Sequence, residues 1–136
     1  MNHSDKIYIA GHRGMVGSAH GWLATPYVET PVSLGALRHH TVAVRCASGT
    51  HVRIVPGVLH RPAGAAPDVM RGEETQVAGA LAADPALADH ACVVLPGTHS
   101  KWVAVQDGRI QAFSTRMTGE LFAVLRDEGL QNGDDL

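Results

Sequence analysis

Cysteine is scarce, and its placement excludes more than its number does. Cys46 and Cys92 stand far apart with no Cys-x-x-Cys spacing. Neither a disulfide framework nor a cysteine-built zinc site is written into the chain. Both lie among apolar neighbours (Val44 and Ala47; Ala91 and Val93), so a buried free thiol is expected at each. Long hydrophobic runs are also missing. Asp84, Asp89 and His90 interrupt the Ala-rich stretch well short of a membrane span. The apolar stretch from Ile7 to Gly11 is too short for the core of a secretory signal. These absences predict a cytoplasmic protein without a membrane partner. Charge of one sign is lacking too: 11 Lys and Arg face 13 Asp and Glu, a net charge of -2. That leaves no basic stripe for nucleic acid. Histidine is plentiful at nine, but scattered. The adjacent His39 and His40 cannot share a helix face, and no His-x-x-x-His pair falls on a convincing helix. No metal site is therefore expected. There is no internal repeat, and oligomeric state is left open.

What is present is an ordinary globular composition, 45% hydrophobic and 18% charged over 136 residues. That is enough chain for one core. Lys6 to Ala10 reads as a short strand and Gly11 to Gly21 as a loop. Val32 to His40 reads as a short helix with Leu34, Leu37 and Val32 inward. Thr41 to Cys46 and His51 to Val55 are β-branched runs that form either a hairpin or, with only the second extended, a single strand. His60 to Pro67 reads as a loop. Glu73 to Ala83 reads as a helix with Val77, Ala80 and Leu81 on its apolar side, stopped by Asp84-Pro85. Ala91 to Leu95 is a continuous apolar run, suited to a strand buried on both faces. Asp107-Gly108 between two alternating runs is a strong hairpin signal. Thr118 can cap a helix from Gly119 to about Glu128, with Leu121, Phe122 and Leu125 buried. The order of elements predicts an α/β or α+β class. Nothing after the last helix offers to cover the second face of the hairpin, which suggests a chain cut short.

Two motifs carry chemistry. The first is a strand, Ile7-Tyr8-Ile9, running into Gly11-x-x-Gly14-x-x-Gly17. Glycines there let a backbone approach a pyrophosphate. About the first nineteen residues resemble the N-terminus of the GDP-L-fucose synthase family, which implies NAD(P)-dependent nucleotide-sugar chemistry. Downstream support is absent. Pro26 and Pro31 follow where a long helix should run, and neither Tyr8 nor Tyr27 begins a Tyr-x-x-x-Lys motif.

The second reading draws on four stretches. They are Gly14 to Ser18 with Gly21-Trp22 and Ala24 to Tyr27; Ile54 to Gly57; Asp68 to Gln76; and Leu95 to Val103 followed by Met117 to Leu121. In order and spacing they resemble the middle of the 2-dehydro-3-deoxygalactonokinase family. The resemblance implies an α/β chain that is part of an actin-like, two-lobed ATPase fold, truncated at both ends. Residues 1–90 would be part of an N-terminal lobe with sugar-acid-binding loops. Residues 91–136 would start a C-terminal lobe with a phosphate-binding hairpin. The implied reaction is phosphoryl transfer from ATP, with Mg2+, to the terminal hydroxyl of 2-dehydro-3-deoxy-D-galactonate, a step of galactonate breakdown.

Residue roles follow, each with a plainer alternative. One of Glu73 and Glu74 can recognise the substrate or accept the proton of the attacking hydroxyl, with Asp68 as the rival base. Two acids opening a helix are equally explained by its dipole. Arg71 offers a fork suited to the sugar-acid carboxylate, or to a surface ion pair. Gly14, Met15, Val16, Gly17 and Ser18 can line the sugar pocket, with Trp22 or Tyr27 as an apolar wall, or form a turn with core aromatics. Gly97, Thr98, His99, Ser100, Lys101 and Thr118 can cradle phosphates, or make an ordinary turn and helix cap.

Overall fold

The structure, a computed structural model, describes residues 7–9, 25–45, 49 and 51–129. Among the described residues, ten strands form three small sheets, with three α-helices between and after them.

The first sheet has the order β1 (Ile7–Ile9), β5 (His51–Ile54), β4 (Val42–Arg45). Of the two alternatives the hairpin is the one formed: β4 and β5 pair antiparallel, Val42 opposite Ile54 and Arg45 opposite His51. Period-2 alternation puts Val52 and Ile54 inside and leaves His51 exposed. The second sheet joins β2 (Val28–Glu29), β6 (Val58–His60) and β7 (Asp68–Met70). β7 and the body of β6 fall where a loop or no strand is expected. Strands of three residues flanked by proline carry too little alternation to be read.

The third sheet has the order β3 (Val32–Ser33), β10 (Arg109–Arg116), β9 (Ser100–Gln106), β8 (His90–Leu95). Its hairpin turns on Asp107 and Gly108, with φ of 52° and 67°. Two successive left-handed residues match the twist of the flanking strands. Val103 and Val105 of β9 point inward. On β10 the inward residues are Ile110 and Phe113, three apart, because a register shift between Ile110 and Ala112 adds a residue to that strand.

Helix α1 (Leu34–His39) is capped by Ser33, whose hydroxyl accepts from the Ala36 N–H. Val32 therefore belongs to a strand and not to the helix, although it is buried as expected. Helix α2 (Glu73–Ala83) has the expected bounds, and Asp84 then caps a 3-10 turn over Pro85–Ala88. One core gathers Val32, Leu37, Val58, Met70, Val77, Leu81, Val103, Val105, Ile110 and Phe113. The core draws residues from both sides of residue 90, and β3 pairs directly with β10.

Three burial expectations are corrected. β8 is an edge strand whose residues alternate between half-buried and exposed, so it is not covered on both faces. Its apolar run has an inner and an outer set. Cys92 belongs to the outer set and is an exposed thiol; Cys46 lies outside the described residues. On α3 (Thr118–Gly129), Leu121, Phe122 and Leu125 are more than half exposed. The helical period locates an apolar side but does not supply a layer to cover it.

Candidate active site

The turn from β7 into α2 concentrates polar chemistry. Gly72 sits at φ 109°, a conformation that a side chain strongly disfavours. It lets the chain reverse so that both acids fold back on the turn. The Glu73 carboxylate accepts the Arg71 N–H at 2.9 Å, and that of Glu74 accepts the Gly72 N–H at 2.7 Å. The Arg71 guanidinium donates to the Thr25 hydroxyl at 2.7 Å and to the Thr25 carbonyl at 2.9 Å. It also lies 4.5 Å from the centre of the Tyr27 ring, a favourable cation–π placement.

Glu74 is the unusual member. It is 1% exposed and shares an inward stripe with Val77 and Leu81. Burial pushes its carboxyl from 4.5 up to about 7, with the Glu73 carboxylate adding to the rise. The backbone N–H bonds and the Thr75 hydroxyl pull the other way without cancelling it. Glu74 also lines a pocket of about 270 Å³, together with Leu34, Leu37, Thr41, Val55 and Ala78. A carboxyl that titrates near neutrality on a pocket wall is equipped to take up and release a proton.

Asp68, at the start of β7, is differently occupied. Its oxygens accept the Thr115 N–H and the Thr115 hydroxyl, each at 2.6 Å, and its own Val69 N–H at 2.8 Å. Lys101 completes the cluster. Its ammonium donates to the Val69 carbonyl and the Thr115 hydroxyl, both at 2.6 Å, and lies 3.8 Å from Asp68. The residue is 8% exposed. Lys101 thus braces β9 and β10 against β7, and reaching a phosphate would require breaking these contacts.

The loop between β8 and β9 is exposed from Pro96 to His99 and is laced to the start of α3. The Gly119 N–H donates to the Gly97 carbonyl and the Glu120 N–H to the Thr98 carbonyl, both at 3.2 Å. The Ser100 and Thr118 hydroxyls hydrogen-bond each other directly. Ser100 also accepts the Gly97 N–H at 3.3 Å. At the rim, His99 and Glu120 meet at 2.6 Å. The expected group Gly97, Thr98, His99, Ser100 and Thr118 is therefore one cluster, joined by the nearby Glu120.

Gly14, Met15, Val16, Gly17, Ser18 and Trp22 lie outside the described residues. Among the described residues, no three His, Cys, Asp or Glu side chains converge as they would around a metal ion. No described helix is long and apolar enough to cross a membrane. Sequence reasoning missed Thr25 as the anchor of Arg71 and Thr115 as the partner of Asp68. Both partnerships span more than forty residues and carry no local signal.

Comparison with known proteins gives a consistent result. The model of a family described as 2-keto-3-deoxy-galactonokinase matches residues 3–132. A protein of Rhizobium meliloti (strain 1021), named "Probable 2-dehydro-3-deoxygalactonokinase DgoK1", is 47% identical over 109 residues. Those residues are 80% of this chain and 34% of that protein. The 2-dehydro-3-deoxygalactonokinase of Escherichia coli (strain K12) is 40% identical over 119 residues, 86% of this chain and 37% of the relative. A crystal structure from Sinorhizobium meliloti, given the 2-dehydro-3-deoxygalactonokinase name provisionally, superposes with a TM-score of 0.72 at 43% identity. It covers 88% of this chain and 38% of that one. The chain spans about a third of the length of the curated relatives it matches.

Proposed function

Because the chain belongs to the 2-keto-3-deoxy-galactonokinase family, we propose that it carries the sugar-acid side and the phosphate loop of an ATP-dependent kinase acting on 2-dehydro-3-deoxy-D-galactonate. The observation that carries this reading is Glu74, a buried carboxyl raised to about 7 on the wall of a pocket, one turn from Arg71.

In this reading Arg71 pairs with the carboxylate of the sugar acid. Its guanidinium is pre-oriented by Thr25 and the Tyr27 ring, which lowers the entropy lost on binding. Glu73 holds the turn through the Arg71 N–H. Glu74 accepts the proton of the terminal hydroxyl as its oxygen bonds to phosphorus and the bond to the leaving nucleotide breaks. Asp68, with its oxygens committed to Thr115 and Val69, positions the strand and is set aside as the base.

The loop Gly97 to Ser100, with Thr118, suits a phosphate chain. It is an exposed glycine turn carrying the Thr98 hydroxyl, packed on a helix start. MgATP, when bound there, supplies the phosphoryl group and the metal that neutralises its charge.

Thermal unfolding with 2-dehydro-3-deoxygalactonate, alone and with MgATP, tests the proposal, with NADPH as the control ligand. Saturating a folded-state site at a hundred times Kd stabilises by about 2.7 kcal/mol. A rise with the sugar acid that disappears in Arg71→Ala is the expected result; a rise with NADPH alone sinks the proposal.

A further inference from the structure

The largest unexplained feature is apolar and lies outside the site. Helix α3 has 12 residues, a length at which an isolated helix is marginal in water. Its start is tied to the loop by the Gly97 and Thr98 carbonyls. Beyond that turn, Leu121, Phe122, Val124 and Leu125 are 56%, 66%, 53% and 63% exposed. Positions 121, 122 and 125 recur at the helical period, so they share one side.

The neighbouring sheet repeats the pattern. On the outward face, Val94 of β8 stands opposite Trp102 of β9, and they are 41% and 46% exposed. Beside them Cys92 stands opposite Ala104, and Ala104 opposite Ala112, a low apolar track across three strands. The inner face is already full, with Val103 at 0% and Val105 at 1%. The outer apolar residues are therefore not surplus core, and an apolar sheet face calls for a layer of its own.

We propose that the bare side of α3 and the outward face of β8 and β9 dock the polypeptide that makes up the other two thirds of a family chain. The relatives supply that occupant: each is about three times the length of the stretch it shares with this chain. Trp102 and Phe122 are its anchors, since aromatic side chains dominate the energetics of such contacts. The proposal rests on family membership and on the exposed surface, not on catalysis, so it stands or falls without a turnover assay.

The test is co-expression of this chain with a tagged polypeptide made of the Rhizobium meliloti relative outside its matched stretch. A 1:1 complex by light scattering is expected, with new hydrogen-exchange protection along α3. Trp102→Asp and the double variant Phe122→Asp/Leu125→Asp should each weaken capture at least tenfold. Ala66→Asp, on the exposed loop before β7, should not. Unchanged exchange protection in β9 will show that the variants keep the core. No co-purification, a complex made only of copies of this chain, or full capture by the α3 and Trp102 variants would each overturn the proposal.

Discussion

Replacing Glu74 with glutamine puts the site to its sharpest test. Glu74→Gln keeps an oxygen for the Gly72 N–H and removes the charge. In the folded chain the carboxyl titrates at about 7, against 4.5 for its ordinary value, mainly because burial disfavours the ion. Between those two values the folded state holds a proton that the unfolded state has released. Stability therefore falls as pH rises through that window, and the cost is complete above about 7. A rise of this size corresponds to roughly 3 kcal/mol. Below pH 4.5 the cost vanishes, because both states carry the proton. Urea unfolding of wild type and Glu74→Gln at pH 5 and pH 8 isolates this one group, since every other titration is common to both. The variant should exceed wild type by less than about 1 kcal/mol at pH 5 and by up to about 3 kcal/mol at pH 8, the latter about 10 °C in Tm for a chain of this size. If the gap is the same at both values, the carboxyl is not held in the desolvated state described. Retaining a carboxyl that lowers stability at working pH is the trade expected of a group kept for chemistry.

Three further substitutions probe the frame around the site. Lys101→Met keeps the buried stem but leaves the Val69 carbonyl and Asp68 without their cation; a loss of about 2 kcal/mol in urea unfolding is expected. Gly57→Ala would place a methyl 2.6 Å from the Met70 carbonyl and 2.5 Å from the Tyr27 ring. It should cost more than about 2 kcal/mol and, by moving Tyr27, weaken the sugar-acid shift as well. Gly119→Ala would bring a methyl within 2.6 Å of the Gly97 carbonyl. It should force the loop off the start of α3 and remove the additional MgATP-dependent shift in the thermal melt.

Legibility in the sequence followed the physics of each element. Helix α2 was readable to the residue because Gly72, the two acids and Asp84-Pro85 mark both ends chemically. The Asp107-Gly108 hairpin was readable because few residues accept two left-handed conformations in succession. β6 and β7 were not, because their pairing partners lie across a proline-rich loop. The apolar run of β8 and the apolar side of α3 were seen, but burial was wrongly inferred for both, since a pattern says which side is apolar and not what lies against it. Glu74 carried an overlooked signal: it sits three and seven residues before Val77 and Leu81, inside the apolar stripe. Spacing alone marked it as a buried acid.

On the proposed function, the brace between the two half-sites explains why a lysine is worth burying at position 101. Adjacent residues of β9 hold opposite ends of the machinery. Ser100 binds Thr118 and the Gly97 N–H at the phosphate loop. Lys101, on the other side of the strand, holds the Val69 carbonyl one strand-end away from Arg71 and Glu73. Asp68 and Thr115 close the same junction from β7 and β10. Apolar side chains at both 68 and 101 could fill that volume, and replacing a whole buried ion pair by hydrophobes is often neutral for stability, unlike the loss of one partner. What they could not do is fix direction. Phosphoryl transfer depends on donor and acceptor being held within fractions of an ångström. Three directed hydrogen bonds and one ion pair between β7 and the β9–β10 hairpin set that relation through a single strand, without passing through either loop.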